Sequence, residues 1–528
     1  MPKILVSDDL SAKGIAILQE AEGFEVDVKT GLPPEELIAA IPDYHGLVIR
    51  SATKVTAEVI AAAANMKVIG RAGIGVDNVE LDAASAKGII VMNTPGGNTI
   101  TTAEHAIAML MALSRNIPQA DHSMKEGKWE KKQFMGVEVF NKTLGIIGLG
   151  RVGSIVAHRA LGLQMKVLAY DPYIARDVAE KIGVEPVEFD ELLARSDYIS
   201  IHAAKTKDTE GILGAAEFAT MKTGVFLINC ARGDIVDEEA LLEALDNGTV
   251  ARAALDVFSV EPTPPDSPLV RHPRVICTPH LGASSEEAQE NVAIAIAEQI
   301  ADFFTRGEVR NAVNTPSLDA EVVSLLGPYL NLAERLGSFA AQYVDGGIQG
   351  VNVRYAGEEI ARGTTPLTLY ILTGVLQTFM EEAVNMVNAP YLVKQRGIVV
   401  NESTTRATED YANLITVELV TDKGRGTVSG TIFGRKNPRI VRIDEVSLEA
   451  IPEGHILVFT NRDTPGVIGQ VGTILGTNKI NIAGIQLGRT APQEDAVAVL
   501  NVDQLVTEAV LAELRALPNL YAAKTITL

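Results

Sequence analysis

The sequence predicts an α/β protein built around a doubly wound parallel sheet and extended by two smaller α+β domains. Three observations support this fold class. Two series of short apolar runs alternate with amphipathic helical patterns, a glycine-rich turn joins one apolar run to a helix, and the pattern changes to half-exposed alternating runs beyond residue 316. The chain of 528 residues is too long for a single core and suits three or four domains.

The first series predicts buried parallel strands at 3–8, 46–50, 67–70 and 88–92. An apolar helix follows over 101–114, with Asn98 or Thr99 as its N-cap, and it buries its apolar face either within its own domain or against a second copy. The second series predicts six strands, at 143–147, 166–170, 198–201, 225–229, 251–256 and 275–277. Because six strands complete a doubly wound sheet, the helix 284–305 and the strand 309–314 are expected to return to the first domain.

The predicted domains follow from this division. Residues 1–97 and 284–316 form a first domain, in which a second domain, 98–283, is inserted. Residues 317–452 form a third domain, with helices at 321–344 and 367–387 before a set of antiparallel strands. Residues 453–528 follow the order strand–helix–strand–strand–helix–strand, which is typical of a ferredoxin-like sandwich.

The charge balance excludes one class of function. The chain carries 46 Lys and Arg against 67 Asp and Glu, and its net charge of −21 repels nucleic acid and acidic membrane surfaces. Two cysteines indicate a reducing compartment, and the N-terminus lacks the apolar segment of a signal peptide. We therefore expect a cytoplasmic protein with no nucleic-acid or membrane partner, in which local positive charge must hold any anionic ligand.

A glycine-rich turn marks the candidate cofactor site. It directly follows an apolar strand, opens a helix and fits the motif G-x-G-x-x-G through Gly148, Gly150, Arg151, Val152 and Gly153. Glycine lets the backbone approach a pyrophosphate, and the helix N-terminus presents free N–H groups to it. Asp171 ends the next strand, where a carboxylate binds ribose hydroxyls and repels a 2′-phosphate, so the expected cofactor is NAD. The alternative is a plain turn with a capping aspartate.

A second glycine pair follows another predicted strand. Gly73 and Gly75 lack the third glycine of the motif above. The pair forms either a simple turn or a nest of backbone N–H groups for a substrate carboxylate.

Three charged side chains follow the carboxyl ends of strands in the second series, where open α/β sheets bind ligands: Arg232, Glu261 and His280. Oxidation of a secondary alcohol needs a base for the hydroxyl proton, and histidine suits this role because its pKa lies near neutrality. A carboxylate would fix the histidine tautomer, and an arginine would hold a substrate carboxylate. A lone histidine is more often structural, but the three groups together predict a catalytic site.

Four segments together resemble the D-isomer-specific 2-hydroxyacid dehydrogenases, namely 148–153, 229–233, 256–262 and 278–280, with agreement in order and spacing over about residues 1–315. The resemblance implies a Rossmann-type cofactor domain inserted in a discontinuous flavodoxin-like substrate domain, with NAD as cofactor. It places Arg232, Glu261 and His280 at the family's catalytic positions. It also implies cofactor contacts at Thr206, Cys230, Ala231, Asp256 and Gly282. The segment from Ala203 to Thr206 departs from the Pro-Leu pair of many relatives.

Two further segments narrow the resemblance. Residues 48–54 look like the substrate loop of family members that act on 3-phosphoglycerate, and residues 461–466 with 481–482 look like an ACT regulatory domain. Residues 317–452 then correspond to the intervening domain of the long members. The implied reaction is oxidation of 3-phosphoglycerate to 3-phosphohydroxypyruvate with NAD, the first step of phosphorylated serine biosynthesis. His280 would take the hydroxyl proton, with Glu261 behind it.

The resemblance also assigns groups that would hold the substrate. Arg232 and the turn of Gly73 and Gly75 would hold the carboxylate. The phosphate would contact Arg50, Ser51, Arg71, Lys131 and Lys132. The two lysines would reach it across a dimer, and the alternative for them is a solvated helix face.

An amino-acid effector is implied at the C-terminal domain. Asn461, Asp463 and Asn481 would hold L-serine at an interface between two ACT domains, and the alternative is an ordinary capped helix start. A homodimer or homotetramer is expected. A basic cluster over 435–442 either binds an anion or balances charge.

Two other functions stay open. The chain could reduce another 2-oxo acid, such as 2-oxoglutarate or glyoxylate. A NAD-sensing binding protein of the corepressor kind could also use the same scaffold.

Overall fold

The protein contains four β-sheets, seen in a computed structural model that describes residues 1–318, 320–380, 383–407, 410–491 and 494–528. Two of these sheets are parallel and carry the candidate active site between them. Within the described residues, no helix is both long and apolar enough to cross a membrane.

The first sheet is parallel, with the flavodoxin-like strand order β2-β1-β3-β4-β5. Its strands are β1 (Lys3–Val6), β2 (Glu25–Val28), β3 (Gly46–Ile49), β4 (Val68–Arg71) and β5 (Ile90–Met92). The helices are α1 (Ala12–Glu20), α2 (Pro34–Ala40), α3 (Ala57–Ala62) and α4 (Leu81–Ala86). The prediction of four strands missed β2. This strand lies at the sheet edge and is largely exposed, so it lacks the apolar run of a buried strand.

The second sheet has the doubly wound order β12-β11-β10-β9-β6-β7-β8. Its strands are β6 (Thr143–Ile147), β7 (Lys166–Tyr170), β8 (Glu185–Pro186), β9 (Tyr198–Ile201), β10 (Val225–Asn229), β11 (Val250–Leu255) and β12 (Val275–Cys277). The predicted six strands were one too few, because β8 is a two-residue edge strand with no periodic pattern.

Eight helices belong to this second unit: α5 (Thr99–Arg115), α6 (Ile117–Lys125), α7 (Arg151–Gly162), α8 (Arg176–Lys181), α9 (Phe189–Arg195), α10 (Ala215–Thr220), α11 (Glu238–Asp246) and α12 (Pro268–Arg271). The buried face of α5, including Ala106 and Leu110, packs with Val156 and Ala160 of α7. This face therefore belongs to the core of its own domain, and a contact of the helix with a second copy stays a prediction.

The chain then returns to the first sheet through α13 (Glu286–Arg306). This helix packs on α1 so closely that a Cβ atom on Gly14 would lie 2.7 Å from the Ala293 carbonyl oxygen. The strand predicted over 309–314 is wrong, since this segment forms only isolated bridges. It still joins the edge of the first sheet, because the Val313 N–H donates to the Val91 carbonyl oxygen at 2.8 Å. The boundaries at 97 and 284 stay predictions.

The third unit is a six-stranded sheet of order β14-β13-β15-β16-β17-β18 with helices on it. The elements are α14 (Ala320–Tyr343), β13 (Ile348–Ala356), α15 (Thr364–Gln377), α16 (Ala389–Gln395), β14 (Val399–Thr405), β15 (Leu414–Thr421), β16 (Gly424–Phe433), β17 (Asn437–Ile443) and β18 (Val446–Ala450). The predicted helix 367–387 ends early, at Gln377. Further on, side chains of Asn385 and Asn388 accept backbone N–H groups and favour a turn. Residues 381 and 382 of the prediction lie outside the described residues.

The last unit has the predicted βαββαβ order. It comprises β19 (His455–Arg462), α17 (Val467–Thr477), β20 (Ile482–Arg489), β21 (Asp495–Val502), α18 (Glu508–Arg515) and β22 (Leu520–Thr527). Its antiparallel sheet has the order β20-β21-β19-β22. Both helices pack their apolar residues on one face of this sheet.

Candidate active site

His280 and Glu261 form a hydrogen-bonded pair in the cleft between the two parallel sheets. Nδ1 of His280 lies 2.7 Å from Oε2 of Glu261. The other oxygen of Glu261 accepts the N–H of Phe258 at 3.0 Å. Burial acts to raise the pKa of Glu261, but the hydrogen bonds from His280 and Phe258 bring it below its ordinary value, so the carboxylate is ionised. The Nδ1 proton is thereby fixed, and Nε2 is left as the basic atom.

A buried aspartate supports the turn that carries His280. Asp256, at the end of β11, is only 1% exposed. Its carboxylate accepts the N–H of Leu281 at 2.7 Å and that of Gly282 at 2.8 Å. Its carbonyl oxygen accepts the N–H of His280. Both carboxylate oxygens therefore serve the turn, and the predicted contacts of Asp256 and Gly282 with the cofactor stay predictions.

Arg232 follows β10 and reaches from the second sheet to the first. Its Nε donates to Oδ2 of Asp77 at 2.9 Å, and its Nη1 donates to the carbonyl oxygen of Ala231 at 2.7 Å. The guanidinium lies against Gly75, where any Cβ atom would overlap it. Similarly, Gly73 has φ +152°, and a Cβ atom there would overlap the guanidinium of Arg71. The second glycine pair thus makes room for two arginines, a reason that the sequence alone did not suggest.

A cavity of about 270 Å³ opens between the two sheets beside the pair of His280 and Glu261. Its walls include the predicted residues Arg50, Ser51, Arg71, Gly73, Glu261 and His280. Burial lowers the pKa of Arg71 to about 10, and repulsion from Arg232 and Arg50 adds to this effect. Within the described residues, the buried Nε of Arg71 has no hydrogen-bond partner. A buried donor of this kind is costly unless a ligand satisfies it, so the cavity suits an anion.

The predicted site omitted three polar residues of this cavity, Asn98, Ser284 and Gln289. The buried Oδ1 of Asn98 has no partner among the described residues. No motif marks any of the three. Asn98 was identified only as a helix cap, and Gln289 lies on an amphipathic helix among other polar residues.

The glycine-rich turn has the shape that a dinucleotide needs. At Gly148, φ is +91° and a Cβ atom would lie 2.7 Å from the Ala203 nitrogen, while a Cβ atom on Gly153 would overlap the Gly148 carbonyl oxygen. Around Gly150, by contrast, no atom lies within 4 Å of the Cβ position. Gly150 precedes α7, and no side chain caps that helix. The turn therefore keeps open space and free N–H groups where a pyrophosphate would bind, with Arg151 and Val152 in the first helical turn.

Asp171 lies beside this turn, directly after β7. Its Oδ2 accepts the N–H of Leu149 at 2.8 Å and its Oδ1 accepts the N–H of Tyr173 at 2.9 Å. Each oxygen keeps a second lone pair that can accept a ribose hydroxyl. These residues thus fit NAD.

The remaining predicted contacts differ in their surroundings. Thr206 lies in an exposed turn, where its hydroxyl is 3.1 Å from that of Thr209. Cys230 is 5% exposed, and burial raises the pKa of its thiol, so the thiol is neutral. Lys131 and Lys132 are exposed in turns after α6 and do not line the cavity, and the helix predicted as their alternative ends at Lys125. No apolar stripe supports a helix over 126–142.

The three predicted effector residues do not come together within one chain. Asn461 is buried near the end of β19 that pairs with Asp495, and Asp463 follows that end, 2.9 Å from Arg489. Asn481 precedes β20, whose first residue pairs with Val502 at the opposite end of the sheet. Helix α17 runs back along the sheet between Asp463 and Asn481, so it separates these residues within one chain, and their predicted contacts with an effector between two ACT domains stay a prediction.

The His280–Glu261 pair sets the expected pH dependence. The hydrogen bond to Glu261 raises the pKa of His280 above its ordinary value of 6.5, although burial acts in the opposite direction. Oxidation needs the neutral imidazole, so kcat/KM should rise with pH through a midpoint above 6.5. In Glu261→Gln the uncharged amide stabilises the imidazolium less, and the midpoint should move to lower pH. Initial rates of NADH formation between about pH 5 and about pH 9 measure both midpoints. Equal midpoints in parent and variant would contradict this assignment.

Comparisons with known proteins agree with this geometry. The family model described as "D-isomer specific 2-hydroxyacid dehydrogenase, NAD binding domain" matches residues 107–282. Models for the "D-3-phosphoglycerate dehydrogenase intervening domain" and the "ACT domain" match residues 325–444 and 455–519. The predicted family, fold class and cofactor are therefore confirmed.

Full-length relatives extend the match to the whole chain. The D-3-phosphoglycerate dehydrogenase of Archaeoglobus fulgidus is 46% identical and that of Bacillus subtilis 42% identical, each over 528 residues and 100% of both chains. The crystal structure of the NAD-dependent formate dehydrogenase of Staphylococcus aureus in complex with NAD covers 60% of this chain and 100% of its own, with 30% identity and a TM-score of 0.55. D-lactate dehydrogenase of Aquifex aeolicus complexed with NAD and lactic acid gives 28% identity and a TM-score of 0.52 over 60% of this chain and 100% of its own. This chain belongs to the D-isomer-specific 2-hydroxyacid dehydrogenase family, among the members that carry an intervening domain and an ACT domain.

Proposed function

We propose that this chain oxidises 3-phospho-D-glycerate to 3-phosphohydroxypyruvate with NAD, the first step of phosphorylated L-serine biosynthesis. One observation supports it above the others. The cavity places His280, whose Nε2 is basic, beside Arg50 and Arg71 of the first sheet. Arg232 does not line the cavity but lies next to it, with its guanidinium against Gly75 and close enough to Arg71 to lower the pKa of that residue. A substrate with one carboxylate and one phosphate needs two separate cationic contacts of this kind.

The residues perform the reaction in a fixed order. Arg232 and the half-buried Arg71 orient the two anionic ends of the substrate. NAD, when bound at that turn, supplies the acceptor of the hydride that leaves this carbon with its electron pair. His280 Nε2 takes the hydroxyl proton, the carbonyl forms, and the ionised Glu261 stabilises the imidazolium through Nδ1. Arg232 stabilises negative charge on the reacting oxygen.

Arg50 is expected to select the phosphorylated substrate. Its backbone N–H donates to Asp8 at 2.6 Å and its Nη1 donates to the Asp9 carbonyl oxygen at 2.9 Å, so the side chain is held at the cavity. In Arg50→Gln, kcat/KM for 3-phosphoglycerate should fall about 100-fold, since a charge-assisted contact with phosphate is lost. Reduction of glyoxylate, which lacks a phosphate, should change less than about threefold.

The same assays distinguish the neighbouring possibilities. An equal loss with both substrates would contradict the phosphate contact and favour a reductase of unphosphorylated 2-oxo acids. A Lys131→Gln/Lys132→Gln variant with a raised KM for 3-phosphoglycerate would support lysines that reach this cavity from a second copy.

We also propose a homo-oligomer. The segment from α6 to β6 exposes a series of large apolar side chains, with Trp129 and Met135 exposed by 81% and 82%, in the set Ile117, Met124, Trp129, Met135, Val137 and Phe140. Exposed apolar surface of this density is typical of an interface rather than of a monomer surface. Lys131 and Lys132 lie within the same segment, which supports their placement across a dimer.

L-serine is the proposed effector, bound where two ACT domains meet. Since Asn481 lies at the opposite end of the sheet from Asn461 and Asp463, two chains are needed to bring these groups together. Serine should lower the rate, and Asn481→Ala should weaken this inhibition roughly tenfold through one lost hydrogen bond. Asn478→Ala, at an exposed amide on the last turn before it, is the matched control. No effect of serine on rate or thermal midpoint, or a monomer mass in light scattering, would contradict the proposal.

A further inference from the structure

His105, on α5, takes part in a hydrogen-bond network under the catalytic turn. Its Nε2 lies 3.1 Å from Oδ1 of Asp256 and 3.1 Å from the hydroxyl oxygen of Thr278. The Thr278 hydroxyl itself donates to Oδ1 of Asp256 at 2.5 Å. Because that hydroxyl proton is already committed, both groups facing Nε2 are acceptors. Nε2 must therefore carry a proton, and His105 is a donor to the buried carboxylate.

Asp256 connects His105 to the turn that carries His280. The carboxylate accepts the N–H groups of Leu281 and Gly282, and its carbonyl oxygen accepts the N–H of His280. The imidazole of His105 is mostly buried, with a side-chain exposure of 19%. His105 thus contacts the carboxylate that shapes the turn, and it does not line the substrate cavity.

The turn needs such support. His280 has φ +54°, in the left-handed region that non-glycine residues rarely adopt. A backbone conformation of this kind persists when its surroundings hold it in place. In this turn those surroundings are the hydrogen bonds to Asp256.

Asp256 in turn needs its donors. Burial acts to raise its pKa, and the hydrogen bonds from His105, Thr278 and Leu281 lower the pKa below its ordinary value, so the carboxylate stays ionised. Cys230 completes a trio with His105 and Asp256 whose polar atoms lie within 4.8 Å of one another. Its thiol is neutral because burial raises its pKa, and both oxygens of Asp256 already accept N–H groups, so the trio does not offer the ligands of a metal site.

We infer that His105 is a positioning residue, which donates through Nε2 to Asp256 and thereby holds the turn that aims His280 at the substrate hydroxyl. The inference rests on the proposed function, because it requires His280 to act as the base. A displacement of the catalytic base by about 1 Å costs on the order of 100-fold in rate.

Two amide variants test this role. Glutamine carries an N–H group about as far from Cα as the imidazole Nε2, whereas asparagine is shorter by one methylene. We expect His105→Gln to keep kcat within about threefold of the parent and His105→Asn to lose about 10- to 100-fold, with KM for 3-phosphoglycerate nearly unchanged in both. His158→Asn, an exposed histidine on α7, is the control for the substitution itself.

The pH profile separates positioning from a loss of stability. Glu261, Asp256 and Arg232 are the charged groups that act on His280. In His105→Asn the pair with Glu261 loosens, so the midpoint of kcat/KM should shift to lower pH, whereas in His105→Gln it should stay. The inference is overturned if both variants lose the same factor in kcat, or if His105→Asn keeps the parent's rate and midpoint. Turnover by the parent tests the proposed function, and only the ratio between the two variants tests His105.

Discussion

Replacement of His280 by asparagine should lower kcat for NADH formation by about 10³-fold, within the range that loss of a general base produces. Asparagine tolerates the positive φ of this position, so the backbone of the turn should be retained. Its amide cannot accept the hydroxyl proton that we assign to Nε2. Initial rates at saturating 3-phosphoglycerate and NAD measure the loss.

Two controls accompany this variant. Its thermal midpoint should stay close to that of the parent, because the imidazole is 49% exposed and contributes little to the core. Glu261→Gln should lose less rate than His280→Asn, since it removes the partner and keeps the base. A His280→Asn enzyme that retains more than a tenth of the parent's kcat would place the base elsewhere.

Replacement of Arg232 by glutamine should lower kcat/KM for 3-phosphoglycerate by roughly 100-fold or more, which corresponds to about 3 kcal/mol for a lost charge-assisted contact. The guanidinium lies beside the cavity, against Gly75, and its Nε donates to Asp77 of the first domain. Affinity for NADH, measured by its fluorescence, should be retained because the glycine-rich turn is unchanged.

A lysine variant separates the charge of Arg232 from the planar shape of its guanidinium. Arg232→Lys keeps the charge but loses the planar fork, so it should recover only part of kcat/KM. Full activity in Arg232→Gln, or an equal loss of NADH affinity, would show that this side chain is not the group that holds the substrate.

The local motifs made much of the site predictable. Gly148, Gly150 and Gly153 belong to one turn. A Cβ atom at Gly148 or Gly153 would contact neighbouring backbone, whereas Gly150 leaves open space beside the turn. Glu261 and His280 are 19 residues apart, yet parallel strands end at the same edge of a sheet and bring them within hydrogen-bond distance. Strand periodicity therefore carried enough information to expect this pair.

What the sequence did not reveal depends on tertiary packing. Asn98 and Gln289 became visible as cavity residues only once the two sheets faced each other. The contacts by which the buried carboxylate of Asp256 holds the turn at Leu281 and Gly282 likewise follow from packing, and its predicted contact with the cofactor stays a prediction. The edge strand β2 was missed because its four residues alternate in polarity and do not form the apolar run of a buried strand. Burial, hydrogen-bond partners and position at a sheet edge are properties of the assembled fold. A short segment of sequence does not determine them.

The most direct measurement is NADH formation by the purified chain, with 3-phosphoglycerate and NAD as the only substrates. We expect saturable turnover that depends on 3-phosphoglycerate and is nearly abolished in His280→Asn. Turnover of glyoxylate or 2-oxoglutarate without any of 3-phosphoglycerate would assign the site to another 2-oxo acid. If NAD binds and no substrate is turned over, the chain is a nucleotide-sensing protein, and the proposed reaction is contradicted.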